Sequence, residues 1–237
     1  MYIVFLVILM IFALIPTVDA LIEKKKPKKE VVFTEKMWCR EKYLSIAFLW
    51  GVALAVFIMC FIAGISLEDI GFRPISFDNG WLAVTALVLW GLAVAFFLYQ
   101  TILPLASAKQ RAEAKKAIAA TDETMARILP RSKKQKWIFS FLAFSAGTCE
   151  EILYRGFFVF LLQAIFPDIP LYLIVLISTV IFGIGHFYQG VQGVIKTGVM
   201  GALLMCLFLA TDSLIPVMAL HFLMDFSSTF LLSEEQS

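Results

Sequence analysis

Apolar residues run along this chain in blocks too long, and too nearly free of charge, for helices of a soluble domain. Seven such runs stand out, at 2–22, 43–65, 81–105, 137–166, 171–187, 191–210 and 214–232. A bilayer core about 30 Å thick is crossed by about 20 apolar residues in a helix, and each run is close to that length or beyond it. Barrel strands would be about ten residues long and alternate in polarity, so the continuous runs predict helices instead. The expected fold is all-α, a polytopic membrane protein with about seven transmembrane helices. Between the runs, 67–78 carries Gly71 and Pro74 and reads as a short turn, and Phe166-Pro167-Asp168-Ile169-Pro170 reads as a tight connection.

Composition agrees with the pattern. The 237 residues are 61% hydrophobic and only 16% charged, with a mean hydropathy of +0.88, whereas soluble domains are roughly half apolar. The net charge of +2 conceals an asymmetry, because all but three of the 20 basic residues fall in 23–43 and 106–136. The exceptions are Arg73, Arg155 and Lys196. Basic residues concentrate in cytoplasmic loops, so both segments are expected in the cytoplasm, with the N-terminus outside and the C-terminus inside. Such runs report topology and attraction to anionic headgroups, and nucleic acid is not an expected partner. In the first run Val18-Asp19-Ala20 resembles a signal-peptide cleavage site. A basic stretch precedes no part of it and follows it instead, so it is read as a retained signal-anchor. Four cysteines lack metal-like spacing, and no disulfide is expected.

Three regions follow: 1–105 with three N-terminal helices and a basic linker, 106–136 as a basic cytoplasmic segment with a helix ending near Pro130, and 137–237 as a four-helix core. Ionisable residues within the spans gather in the last region. Charge near the bilayer centre is costly, so it marks a functional interior by default. Glu150, Glu151 and Arg155 share the fourth run. Glu151 and Arg155 are four residues apart, so they can form an ion pair on one helical face. Glu150, rotated about 100° from Glu151, is left as the free carboxylate. His186 and His221 are the only histidines. His221 and Asp225 are again one turn apart, so Asp225 can accept from the imidazole and fix its tautomer. At about 1.5 Å per residue, Glu150 and His221 fall at similar depth, while His186 falls too near the cytoplasm. That is relieved if 188–193 dips to membrane depth and lines a watery cavity. The glycines at 183, 185, 190, 193, 198 and 201 read as close helix packing.

The ordered set Glu150-Glu151-x-x-x-Arg155, Phe182-x-x-x-His186 and His221-x-x-x-Asp225 resembles the CAAX-protease and bacteriocin-processing family of intramembrane proteases, which includes the type II CAAX prenyl endopeptidases. The resemblance covers about 137–232. It implies an endopeptidase in which Glu150 and His186 activate a water while His221 and Asp225 stabilise the tetrahedral intermediate, with Glu151, Arg155 and Phe182 in support. The implied partner is a membrane-associated peptide or protein substrate, prenylated or not. Ionised Asp225 cannot donate to an oxyanion as Asn could, which assigns it to orienting His221 or to a metal. Glu150, His186, His221 and Asp225 are therefore also candidate ligands for a divalent metal, Zn²⁺ in particular, although zincin ligand spacing is absent. A proton-coupled transporter using the same residues as a relay is the rival reading, but such transporters carry internal repeats and none is evident. The other rival is a catalytically silent bacteriocin-immunity protein.

Overall fold

The computed structural model describes residues 1–25, 34–107, 109, 112, 113 and 128–230. Within them the chain is helical and has no strand. The helices are α1 (Tyr2–Lys25), α2 (Glu35–Ala63), α3 (Trp81–Ala106), α4 (Lys133–Glu151), α5 (Phe158–Ile165), α6 (Leu171–Gly185), α7 (Gly190–Thr211) and α8 (Leu214–Ser227). A π-helical turn, Ile152–Phe157, joins α4 to α5 without a break, so each of the seven apolar runs has its own helical rod. The helix expected within 106–136 falls largely outside the described residues, as do 231 and 232 at the end of the last run.

Tyr2–Ile22, Glu35–Ala63, Trp81–Leu103 and Phe187–Thr211 are long and apolar enough to cross a membrane. α6 and α8 are apolar but shorter, at 15 and 14 residues. At 1.5 Å per residue they extend only about 20 Å. α6 stops at His186, where a single 3₁₀ turn, Phe187–Gln189, leads straight into α7. The segment 188–193 is thus that turn and the start of a helix, held beside Glu150 by His186 and roughly 25 Å along α4 from Lys133.

The start of α4 follows from its sequence. Ser132 accepts from the Gln135 amide, and the Gln135 side chain accepts from the Ser132 amide, a reciprocal cap that occupies two otherwise unpaired donors. The N-terminal helices brace the core. α1 turns Phe5, Leu9, Ala13 and Thr17 inward, a stripe at four-residue spacing, and the Thr17 hydroxyl donates to the Ile184 carbonyl at 2.6 Å. On α2, Trp50 donates to the Ser145 hydroxyl of α4 at 3.0 Å. The turn between α7 and α8 is fastened by the 65–80 segment. There Arg73 pairs with Asp212 at 2.5 Å, and Ser213 donates to the Arg73 carbonyl at 2.7 Å. In the same segment Ser66 donates to Asp69, whose exposed carboxyl is held below its usual range by those hydrogen bonds.

Candidate active site

Three rods bring the ionisable residues together. Glu150 and Glu151 end α4, Arg155 lies in the π-helical turn, His186 caps α6, and His221 and Asp225 lie on α8. π-turns that interrupt α-helices are frequent at functional sites, and all six residues of this one are buried. α8 can approach α4 because Gly147, one turn before Glu150, lacks a side chain. A Cβ there would lie 2.7 Å from the backbone nitrogen of Phe222. Gly201 on α7 does the same for the support layer, where a Cβ would lie 2.8 Å from the Phe182 ring and 3.3 Å from the Arg155 guanidinium.

The support layer is buried. Arg155 and Glu151 side chains are both fully buried and meet at 2.8 Å. The guanidinium also donates to the Gly201 carbonyl at 3.1 Å and stands 4.4 Å from the centre of the Phe182 ring. A buried charge is tolerated when it is paired and hydrogen-bonded in this way. The same Glu151 oxygen that binds Arg155 is 2.6 Å from His221 Nδ1. Glu151 therefore orients His221. Asp225, expected from its spacing to do so, is 3.8 Å from Nε2, outside hydrogen-bond range, and its side chain is 42% exposed. The reason lies in the packing: α8 is rotated so that Nδ1 faces the buried carboxylate of α4, which leaves Asp225 at the open side of the cluster.

Glu150 is placed differently from Glu151. Its Oε2 is buried and has no hydrogen-bond partner. It faces His186 Nε2 at 3.8 Å and His221 Nε2 at 4.0 Å. His186 Nδ1 is 2.8 Å from the Phe182 carbonyl, which fixes its proton on Nδ1 and leaves Nε2 as the acceptor turned to Glu150. The Phe182 ring is shared packing for both imidazoles, with centroids 4.6 Å from His186 and 6.0 Å from His221. Tyr154 packs edge-on against Phe182, and Tyr188 stacks beside His186. Glu150 Oε2 thus stands 3.8 Å from one imidazole Nε2 and 4.0 Å from the other, and an oxygen placed beside either pair can reach both atoms at hydrogen-bond distances of about 2.8 Å.

The expected metal fits less well. Both imidazoles present Nε2 with Nδ1 anchored, as metal-ligating histidines do. The spacing is wider than a ligand set, since donors about 2.1 Å from a tetrahedral ion stand about 3.4 Å apart. Among the described residues no group of three or more His, Cys, Asp or Glu is arranged to hold a metal ion. The residues as placed do not fit Zn²⁺, and no step below runs through one.

The pattern of apolar runs did not single out Gly147 or Tyr154. A glycine three residues before Glu150, in a helix that carries Phe139, Phe141 and Phe144, is the one signal that could have pointed to the close approach of α8.

Fold and site define a polytopic helical membrane protein with a Glu–His–His cluster built inside its helix bundle. Residues 132–227 match the family model described as type II CAAX prenyl endopeptidase Rce1-like. The match takes in α4 through α8 and every residue of the cluster, and over that segment the chain is similar to a CAAX-type intramembrane protease. No curated protein and no solved structure matches the chain.

Proposed function

We propose that this protein is an intramembrane endopeptidase that hydrolyses a peptide bond in a prenylated, membrane-associated substrate. The observation that carries the reading is Glu150, whose buried, unpartnered Oε2 faces two imidazole nitrogens at 3.8 and 4.0 Å, so that all three can turn toward one oxygen beside them. The segment that builds this arrangement is the one similar to CAAX-type proteases.

In this mechanism a water sits between Glu150, His186 and His221. It donates one hydrogen to Glu150 and the other to His186 Nε2, which orients its lone pair toward the scissile carbonyl. Glu150 takes the proton as the C–O bond forms, a role that typically contributes about 10²–10⁴ in rate. His221, as an imidazolium, keeps Nδ1–H on Glu151 and turns Nε2–H to the developing oxyanion. Loss of one such donor typically costs about 10²–10³. The proton then passes from Glu150 to the departing amine nitrogen as the C–N bond breaks. Arg155 holds Glu151 in place through their ion pair. Asp225, at the open side, supports the charge on His221 but repels an oxyanion, so Asn is compatible with the chemistry.

The test is turnover of a fluorogenic farnesylated peptide by purified protein in nanodiscs, beside the same peptide without the prenyl group. Cleavage of the prenylated peptide by wild type and not by Glu150→Gln is expected. Equal cleavage of both peptides would remove the substrate class, and equal cleavage by both proteins would remove the mechanism.

A further inference from the structure

Away from the catalytic cluster, the first turns of α2 and α4 lie side by side. Trp38 of α2 donates to the Ile128 carbonyl just before α4 at 3.2 Å, and Trp38, Cys39 and Ile46 pack with Ile138 and Phe139. A groove runs between these helix ends, lined by Lys36, Arg40, Tyr43 and Leu44 from α2 and by Lys134 from α4. Buried Cys39 forms its floor. We propose that this groove binds the phosphate of an anionic membrane phospholipid.

Positions 36, 40, 43 and 44 follow the i, i+4, i+7, i+8 rule and share one helical face. Along that face polarity falls from two cations, through a phenol, to an aliphatic side chain. This is the order in which a phospholipid presents phosphate, glycerol ester and acyl chain as it enters a bilayer. Lys134 completes a three-cation clamp from the neighbouring helix. Among the described residues none of the three cations is in a salt bridge. The one carboxylate in the groove, Glu35, accepts from the Ser132 hydroxyl at 2.7 Å. Its charge leaves the groove at about +2 at neutral pH.

The level in the membrane is consistent with this occupant. Tyr43 is 54% exposed and Trp137, one turn beyond Lys134, is 80% exposed. Aromatic side chains at the ends of apolar helices mark the headgroup region, and basic pockets between helices at that level take phosphate headgroups. A free phosphate ion would use the cations alone and leave the apolar half of the face without a partner, so the lipid is the better fit.

The experiment uses delipidated full-length protein in a zwitterionic detergent and fluorescent phosphatidylglycerol as the probe. Wild type is expected to bind it, with phosphatidylcholine competing at least tenfold less well than unlabelled phosphatidylglycerol. Lys36→Gln/Arg40→Gln/Lys134→Gln should weaken binding at least tenfold. Lys26→Gln/Lys28→Gln/Lys29→Gln, with the same loss of charge at other sequence positions, should change it less than twofold. Glu35→Gln keeps an acceptor for Ser132 and should tighten binding about threefold, which tests the groove even where the triple variant folds poorly. Equal weakening by the two triple variants would reduce the effect to diffuse charge. Competition by inorganic phosphate as strong as by unlabelled lipid would replace the lipid with a free anion. An unchanged Glu35→Gln affinity would also overturn the proposal.

Discussion

A single methyl group at Gly147 tests how closely the chemistry depends on helix spacing. In Gly147→Ala the new Cβ would stand 2.7 Å from the Phe222 nitrogen and 2.9 Å from its Cα. Carbon contacts are comfortable from about 3.5 Å, so α4 and α8 must separate locally by roughly 0.8 Å, and backbone cannot rotate aside as a side chain can. Phe222 follows His221, so the shift opens the 4.0 Å gap between His221 Nε2 and Glu150 and strains the 2.6 Å bond to Glu151. Overpacking costs about 1–3 kcal/mol, and replacing a helical glycine by alanine returns about 1 kcal/mol, so stability should fall by at most about 2 kcal/mol. Activity should fall further, because a displacement near 1 Å in a catalytic constellation can cost about 10²-fold. Thermal unfolding and turnover of the farnesylated peptide, measured in the same nanodiscs, separate the two effects. Gly51→Ala is the control, since nothing lies within 4 Å of its added Cβ. Turnover by Gly147→Ala within twofold of the Gly51→Ala protein would refute the reasoning.

Other perturbations address the remaining parts of the account. Arg155→Ala leaves Glu151 buried without its cation and should lower folded stability by about 3–5 kcal/mol, read by thermal unfolding in detergent. Asp225→Asn should keep or raise turnover if the water is activated by Glu150 and His186 alone; exhaustive chelation should then leave activity intact, whereas a reversible loss, with bound ion found by metal analysis, would restore the Zn²⁺ reading. Single cysteines placed in 106–136 should be labelled from the cytoplasm only, and labelling from outside would invert the proposed orientation.

The helices and the ion pair were legible in the sequence for a simple reason: each depends on local spacing. Long apolar runs specify spans, and an i, i+4 separation places Glu151 against Arg155 whatever surrounds them. The same local rule misassigned His221. One turn separates it from Asp225, yet its hydrogen bond goes to Glu151, 70 residues away. The choice depends on the rotation of α8 about its axis, which follows from its packing against α4 and other helices and has no trace in the periodicity of α8 itself. The π-turn was hidden likewise, since one extra residue in a buried apolar stretch changes no visible pattern. The part played by the N-terminal helices was hidden for the same reason. Thr17 closes on the last turn of α6 and Trp50 on the middle of α4, contacts between distant positions that hydropathy does not encode.

The central claim is that Glu150 makes this protein a protease, and it is tested most directly without assuming a substrate. Mass spectrometry of membrane-protein termini should be compared between cells with wild-type protein, cells with Glu150→Gln at equal abundance, and cells with neither. New C-termini or neo-N-termini should appear with wild type alone, while Glu150→Gln, folded and membrane-inserted, should match the cells that lack the protein. The same new termini in the Glu150→Gln cells would contradict the account.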